Sequence, residues 1–222
     1  MGGGLVIDPP FMPAFRLAMR PSADIAALSA LVDADPTDLE MLLEIRAMTD
    51  PLARVALTGL SAIGPADRYV GAGAGAVMLP FLISRPSRFS SGRFGVLYGA
   101  DQNVTALAEV THHQTIRLRA AGAPSGTSIL FALWSFDFDA PIEDVRGADT
   151  AVYDPASYAV AQKLGNRFHD DGRNGVLFRS VRRPEGECVG IFRPSVVRGM
   201  TKHDDWRLIW DGRTISETLR VA

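Results

Sequence analysis

Apolar residues recur at helical spacing through the first part of the chain. In SADIAALSALV, 22–32, Ile25, Leu28, Leu31 and Val32 share one face behind Ser22, a candidate N-cap. DPTDLEMLLEIRAM predicts a second helix, with Asp35 as cap, Pro36 in the first turn and Leu39, Leu42 and Leu43 as its stripe. TDPLARVAL repeats the arrangement with Asp50 and Pro51. From about residue 61 the texture changes to glycine-rich loops and short alternating runs. GVLY (95–98), SILFALWSFDF, NGVLFRS and ECVGIF read as strands, and WRLIWDGRTISETL as a hairpin turning at Asp211-Gly212. NVTALAEVTHHQTIRLR predicts a helix capped by Asn103, with Val104, Leu107 and Ala108 toward a core. YDPASYAVAQKLGNRFHDDG predicts another, capped by Asp154 and ending near Gly172. These elements do not alternate as regular βαβ units, so the expected class is α+β. The expected organisation is a helical N-terminal extension, 1–60, followed by an α+β core, 61–222.

A chain of 222 residues is long enough to bury a real core. Its formal net charge of -2 argues against a nucleic-acid binder, whose affinity rests on clustered Lys and Arg. The single cysteine, Cys188, excludes an intrachain disulfide framework, and its setting in CVGIF predicts a buried thiol. MGGGLVIDPP lacks the basic region and apolar core of a signal peptide. GAGAGAVMLPFLI is shorter than the roughly 20 residues of a membrane span. A soluble, cytoplasmic protein is the expectation.

Several segments invite a chemical reading. GAGAGAV, 71–77, lacks the Lys and Ser/Thr of a phosphate-binding loop and reads as a packed loop. His112 and His113 are adjacent, so a helix points them about 100° apart, and no metal site is expected. No G-x-S-x-G elbow supports a serine hydrolase. Glu109 borders the apolar face of its helix, with His113 one turn on and Tyr98 at the end of the preceding strand. Its carboxylate stands either in solvent or in a cleft. In a cleft, a carboxylate, an aromatic face and arginines would suit a sugar that becomes cationic while its phosphates are held.

The segment SRFSSGRFGVLYGADQNVTALAEVTHH resembles the core of the RES-domain family, named for Arg, Glu and Ser. DRYVGAGA (67–74) is similar to the family's early Arg-Tyr segment, and the stretch from YDPASYAVAQKLG to CVGIFRP is similar to its C-terminal helix, strand, serine and strand. The resemblance covers about residues 61 to 197. It implies an ADP-ribosyltransferase-like core of small packed β-sheets flanked by helices, with NAD+ as substrate. It also implies the toxin of a bacterial type II toxin–antitoxin module that causes growth arrest. Family members deplete NAD+ by phosphorolysis or hydrolysis, or transfer ADP-ribose to a host protein such as an enzyme of nucleotide synthesis. The implied partner is an antitoxin with an Xre-like DNA-binding region and a C-terminal domain that covers the toxin's cleft.

By position, the resemblance assigns Glu109, Arg68 and Tyr98 to catalysis, and Tyr69, Arg88, Ser180 and His113 to NAD+ binding. The glycines of the central segment would let backbone approach the substrate. The chain departs from the family pattern at Ala161-Gln162, where relatives have Ser-Gln, and at His112, where an aromatic is frequent. A non-catalytic protein that keeps the fold to hold a nucleotide or partner is the rival reading.

Overall fold

Alternation places successive side chains of a strand on opposite faces, so a strand covered on both sides must be apolar throughout. GVLF and CVGI have that character and form the interior of the sheet. The structure is a computed structural model and describes residues 5–19 and 39–221. Among these residues nine strands are present: β1 (Leu5–Ile7), β2 (Ala14–Met19), β3 (Leu97–Ala100), β4 (Ser128–Phe138), β5 (Ile142–Asp144), β6 (Gly175–Arg179), β7 (Glu187–Ile191), β8 (Val197–Trp210) and β9 (Ile215–Val221). Their order is β1-β5-β6-β7-β3-β2-β4-β8-β9. The helices are α1 (Leu39–Ala47), α2 (Pro51–Ser61), α3 (Ala74–Leu82), α4 (Asn103–Ala120) and α5 (Ala159–Asp170). The mixed α+β class follows.

Val176 and Phe178 of β6 join one apolar cluster with Cys188, Ala106 and Phe168, beneath α4 and α5. Leu177 and Val189 face the other side, with Val77 and Phe81 of α3. The α1–α2 pair backs α3 through Leu43, Ala56 and Leu60, which meet Met78 and Leu82. In β4, Phe131 and Leu133 belong to the first face but Phe136 and Phe138 to the second. Register shifts against β8, between Ala132 and Trp134 and between Ser135 and Asp137, let one strand serve both faces.

The sheet departs from the expected set of small packed sheets in being continuous, but its junction is thin. β2 pairs with β3 through the single register pair Phe15↔Ala100, whereas it pairs with β4 from Ala14 to Met19. The sheet is therefore a five-strand half and a four-strand half meeting at β3 and β2.

Several local expectations are corrected. The first sixty residues are not all helical, because Ala14–Met19 gains more from pairing along β4 than a six-residue helix could supply. GAGAGAV is not a loop throughout: Gly73, at φ 74°, turns the chain into α3, whose Ala74 and Gly75 are buried. Asn103 is the first residue of α4, after Gln102 at the cap. Val104 is 46% exposed while Thr105 and Ala106 are buried, so the buried stripe lies one position further along. Asp154 does not cap α5. Its Oδ1 accepts from the N–H groups of Ala156 and Ser157 in a preceding turn, and the helix starts at Ala159. The expected helix over 22–32 and the capping positions Asp35 and Pro36 lie outside the described residues.

One glycine fixes how closely the layers approach at the junction. A Cβ at Gly99 would stand 2.7 Å from Phe136 Cζ and 3.0 Å from Ala14 Cβ. Gly99→Ala is expected to cost about 1–3 kcal/mol through overpacking, read as a lower urea midpoint at unchanged slope.

Candidate functional site

A cavity of about 360 Å³ opens where the two sheet halves meet. Its wall takes Arg16 from β2, Tyr98 from β3, Glu109 and His113 from α4, and Ser87 and Arg88 from the connection before β3. Tyr158, at the start of α5, and Phe178 of β6 complete its aromatic lining.

Glu109 is oriented by Ser180, whose hydroxyl donates to Oε1 at 2.6 Å. The same hydroxyl accepts from the backbone N–H groups of Arg182 at 3.1 Å and Arg183 at 3.0 Å. Its one proton is thus committed to the carboxylate, which makes Ser180 a positioning residue for Glu109. His113 Nε2 lies 3.9 Å from Glu109 Oε2, too far for a hydrogen bond. Burial holds the His113 imidazole below its ordinary pKa; Glu109 opposes that shift, and Arg182 and Arg88 add to it. At neutral pH the ring is therefore mostly uncharged.

Tyr98 lines the cavity, and its hydroxyl is already engaged within the protein. The hydroxyl accepts from the Phe89 N–H at 3.1 Å and shares a 2.9 Å hydrogen bond with Ser87 Oγ. Burial pushes its pKa up to about 12, against the opposing effects of Ser87, Phe89 and Arg88, so the phenol stays protonated. These bonds fasten the 87–89 segment to β3, and Gln162 holds it from the other side by donating to the Ser87 carbonyl at 2.9 Å. Tyr98→Phe is expected to leave the Phe89 N–H unpaired and to cost about 1–3 kcal/mol. A urea titration giving the wild-type midpoint would contradict that.

Arg88 is 9% exposed. Its Nη1 donates to the carbonyls of Val152 at 3.1 Å and Asp154 at 3.3 Å, and its guanidinium lies 4.6 Å from the Tyr158 ring centroid. It closes the cavity wall by tying the 152–158 segment to β3's approach. Cys188 also lines the cavity, and burial, with Glu109 and Asp101 adding, pushes its thiol well above the ordinary range. It is a packed side chain, not a nucleophile.

Arg16 is the functional candidate that sequence reading missed. Its Nη1 donates to the Tyr98 carbonyl at 3.4 Å, and its Nε is buried with no hydrogen-bond partner. Burial lowers its pKa to about 10, so it remains cationic at neutral pH. The signal was present in AFRLAM, an apolar run with one arginine at its centre. Reading the first sixty residues as helical hid it.

Arg68 and Tyr69 are not brought to the cavity, and this corrects their expected place. Arg68 Nη2 lies 3.7 Å from Glu40 of α1, and its Nε donates to the Ile63 carbonyl. The Tyr69 hydroxyl donates to the Ala72 carbonyl at 3.0 Å, and its ring packs with the clusters around α3. That is the sheet face opposite α4. The glycines serve packing: a Cβ at Gly95 would stand 2.3 Å from Phe81 Cα, while Gly99 meets Phe136 on its Cβ side and also lines the cavity.

Among the described residues, no group of three or more His, Cys, Asp and Glu is placed to hold a metal ion. No described helix is long and apolar enough to cross a membrane. No curated protein sequence matches the chain. A chain of the crystal structure of the M. tuberculosis MbcT–MbcA toxin–antitoxin complex is similar at 14% identity and a TM-score of 0.38, over 53% of this chain and 71% of that chain. The RES domain matches residues 51–211, spanning α2 through β8 and including Tyr98, Glu109 and Ser180, and the chain therefore belongs to the RES domain family.

Proposed function

We propose that this chain is the toxin of a toxin–antitoxin pair and that it cleaves the nicotinamide–ribose bond of NAD+, passing ADP-ribose to an acceptor. The observation that carries the reading is the Glu109 carboxylate, held by Ser180 at the wall of a cavity that Arg16 and Arg88 also line. Cleavage passes through an oxocarbenium-like state, so negative charge beside the ribose lowers the barrier. Glu109 supplies it. The C–N bond breaks with its electron pair going to the nicotinamide nitrogen, which leaves neutral, so no second carboxylic acid is required. The acceptor oxygen or nitrogen then bonds the anomeric carbon and loses a proton.

Arg16 holds the dinucleotide's pyrophosphate with the guanidinium edge that protein leaves unpartnered, and Arg88 shapes the adjoining wall. The rings of Tyr98 and Phe178, 6.2 Å apart and edge to face, give the nicotinamide an apolar wall. Inorganic phosphate, water or a host-protein side chain serves as acceptor. An antitoxin that covers the cavity mouth, carrying its own DNA-binding region, restrains the activity in the cytoplasm.

The test follows NAD+ labelled in its ADP-ribose half with purified protein, phosphate and a bacterial lysate. Label on a protein band means transfer to a host protein, and label in small products means phosphorolysis or hydrolysis. Intact NAD+ under every condition, with no growth arrest on expression, would replace this reading with that of a non-catalytic binding protein.

A further inference from the structure

Buried polar atoms almost always find a partner, so a group of them that does not is informative. Arg182 Nε and Nη2 are shielded from solvent and hydrogen-bond nothing, and the same is true of His112 Nε2. The contrast with the next residue is direct. Arg183 Nη1 donates to Gln102 Oε1 at 3.1 Å and to Thr105 Oγ1 at 2.8 Å.

The unpartnered groups stand beside the cavity. The Arg182 backbone N–H donates to Ser180 Oγ, which in turn donates to Glu109. His112 and the cavity residue His113 have ring centroids 5.5 Å apart, and the Arg182 charge acts on both imidazoles. Arg88 acts on them as well, and Glu109 opposes both arginines.

We propose that Arg182, with His112 beside it, forms an anion subsite at the rim of the cavity that takes a phosphate-class oxyanion. A guanidinium presents paired N–H donors that match phosphate oxygens. The two shielded nitrogens reach it by rotation of the Arg182 side chain, which is half-buried in the connection between β6 and β7. The NAD+ reading enters only in naming the source of the phosphate, which is either the dinucleotide's pyrophosphate or free inorganic phosphate.

The test is calorimetric titration of the full chain with ADP-ribose, which lacks the nicotinamide–ribose bond, and separately with inorganic phosphate, using wild type and Arg182→Gln. At least one probe is expected to bind wild type and to lose about tenfold or more in affinity in the variant. Competition between the two probes would assign the subsite to the dinucleotide's phosphates, and simultaneous binding would assign it to free phosphate. Binding of phosphate but not of ADP-ribose, still dependent on Arg182, would keep the subsite and remove the NAD+ reading. Equal affinity of wild type and Arg182→Gln for both probes would overturn the proposal.

A thermal scan reports whether the variant folds. If it does not, modification of wild type by phenylglyoxal, mapped by mass spectrometry, decides: protection of Arg182 by either probe supports the subsite, and no protection overturns it.

Discussion

Glu109→Gln is expected to lower NAD+ turnover by about a hundredfold to a thousandfold, equivalent to about 3–4 kcal/mol of lost transition-state stabilisation. Glutamine keeps the oxygen that accepts from Ser180, so the side chain should stay in place while its charge is removed. The protein should unfold at the wild-type temperature within a few degrees. A second readout is local: the Glu109 charge holds the His113 pKa up, so its loss should move the His113 titration to lower pH by NMR. A variant with wild-type turnover would remove Glu109 from the chemistry. A variant that fails in both turnover and folding would make its role structural.

Arg16→Met is expected to separate activity from stability. The guanidinium is desolvated, and its Nε has no partner, so replacing it with an apolar chain of similar length should leave the thermal midpoint unchanged or raise it. Turnover per enzyme at low NAD+ should nevertheless fall by roughly a hundredfold, because the pyrophosphate loses a charge-assisted contact in a dry site. If kcat/KM stays within threefold of wild type, Arg16 does not meet the substrate. If the variant is several degrees less stable, its retention is explained by packing.

The sequence made one unit of the site readable and concealed the rest. A strand, a tight connection and a helix carrying Tyr98 and Glu109 follow from local periodicity, and the structure brings both to the cavity wall. Ser180 was named as a site residue, but its bond to a carboxylate on α4 is set by the packing of β6 against that helix. Arg16 was hidden for a related reason. AFRLAM is too short for periodicity to separate strand from helix, and its pairing partners lie more than a hundred residues away in β4. Arg68 shows the opposite error. The resemblance alone put Arg68 and Tyr69 in the site, yet α3 begins in the glycine-rich stretch that follows and Tyr69 packs with it on the far face of the sheet. Chain neighbourhood says which residues are close in sequence, and the sheet decides which share a face.

The seam between the sheet halves has a consequence for biosynthesis. Arg16 is made before Glu109 and Glu109 before Ser180, while the strand carrying Arg16 meets that of Tyr98 through one register pair. A ribosome-bound chain that has not yet emerged through β6 holds the arginine and the carboxylate without the hydroxyl that aims the latter. Long-range pairing of this kind also closes slowly. The growing polypeptide therefore holds its carboxylate unaimed until Ser180 has been translated and β6 has taken its place in the sheet.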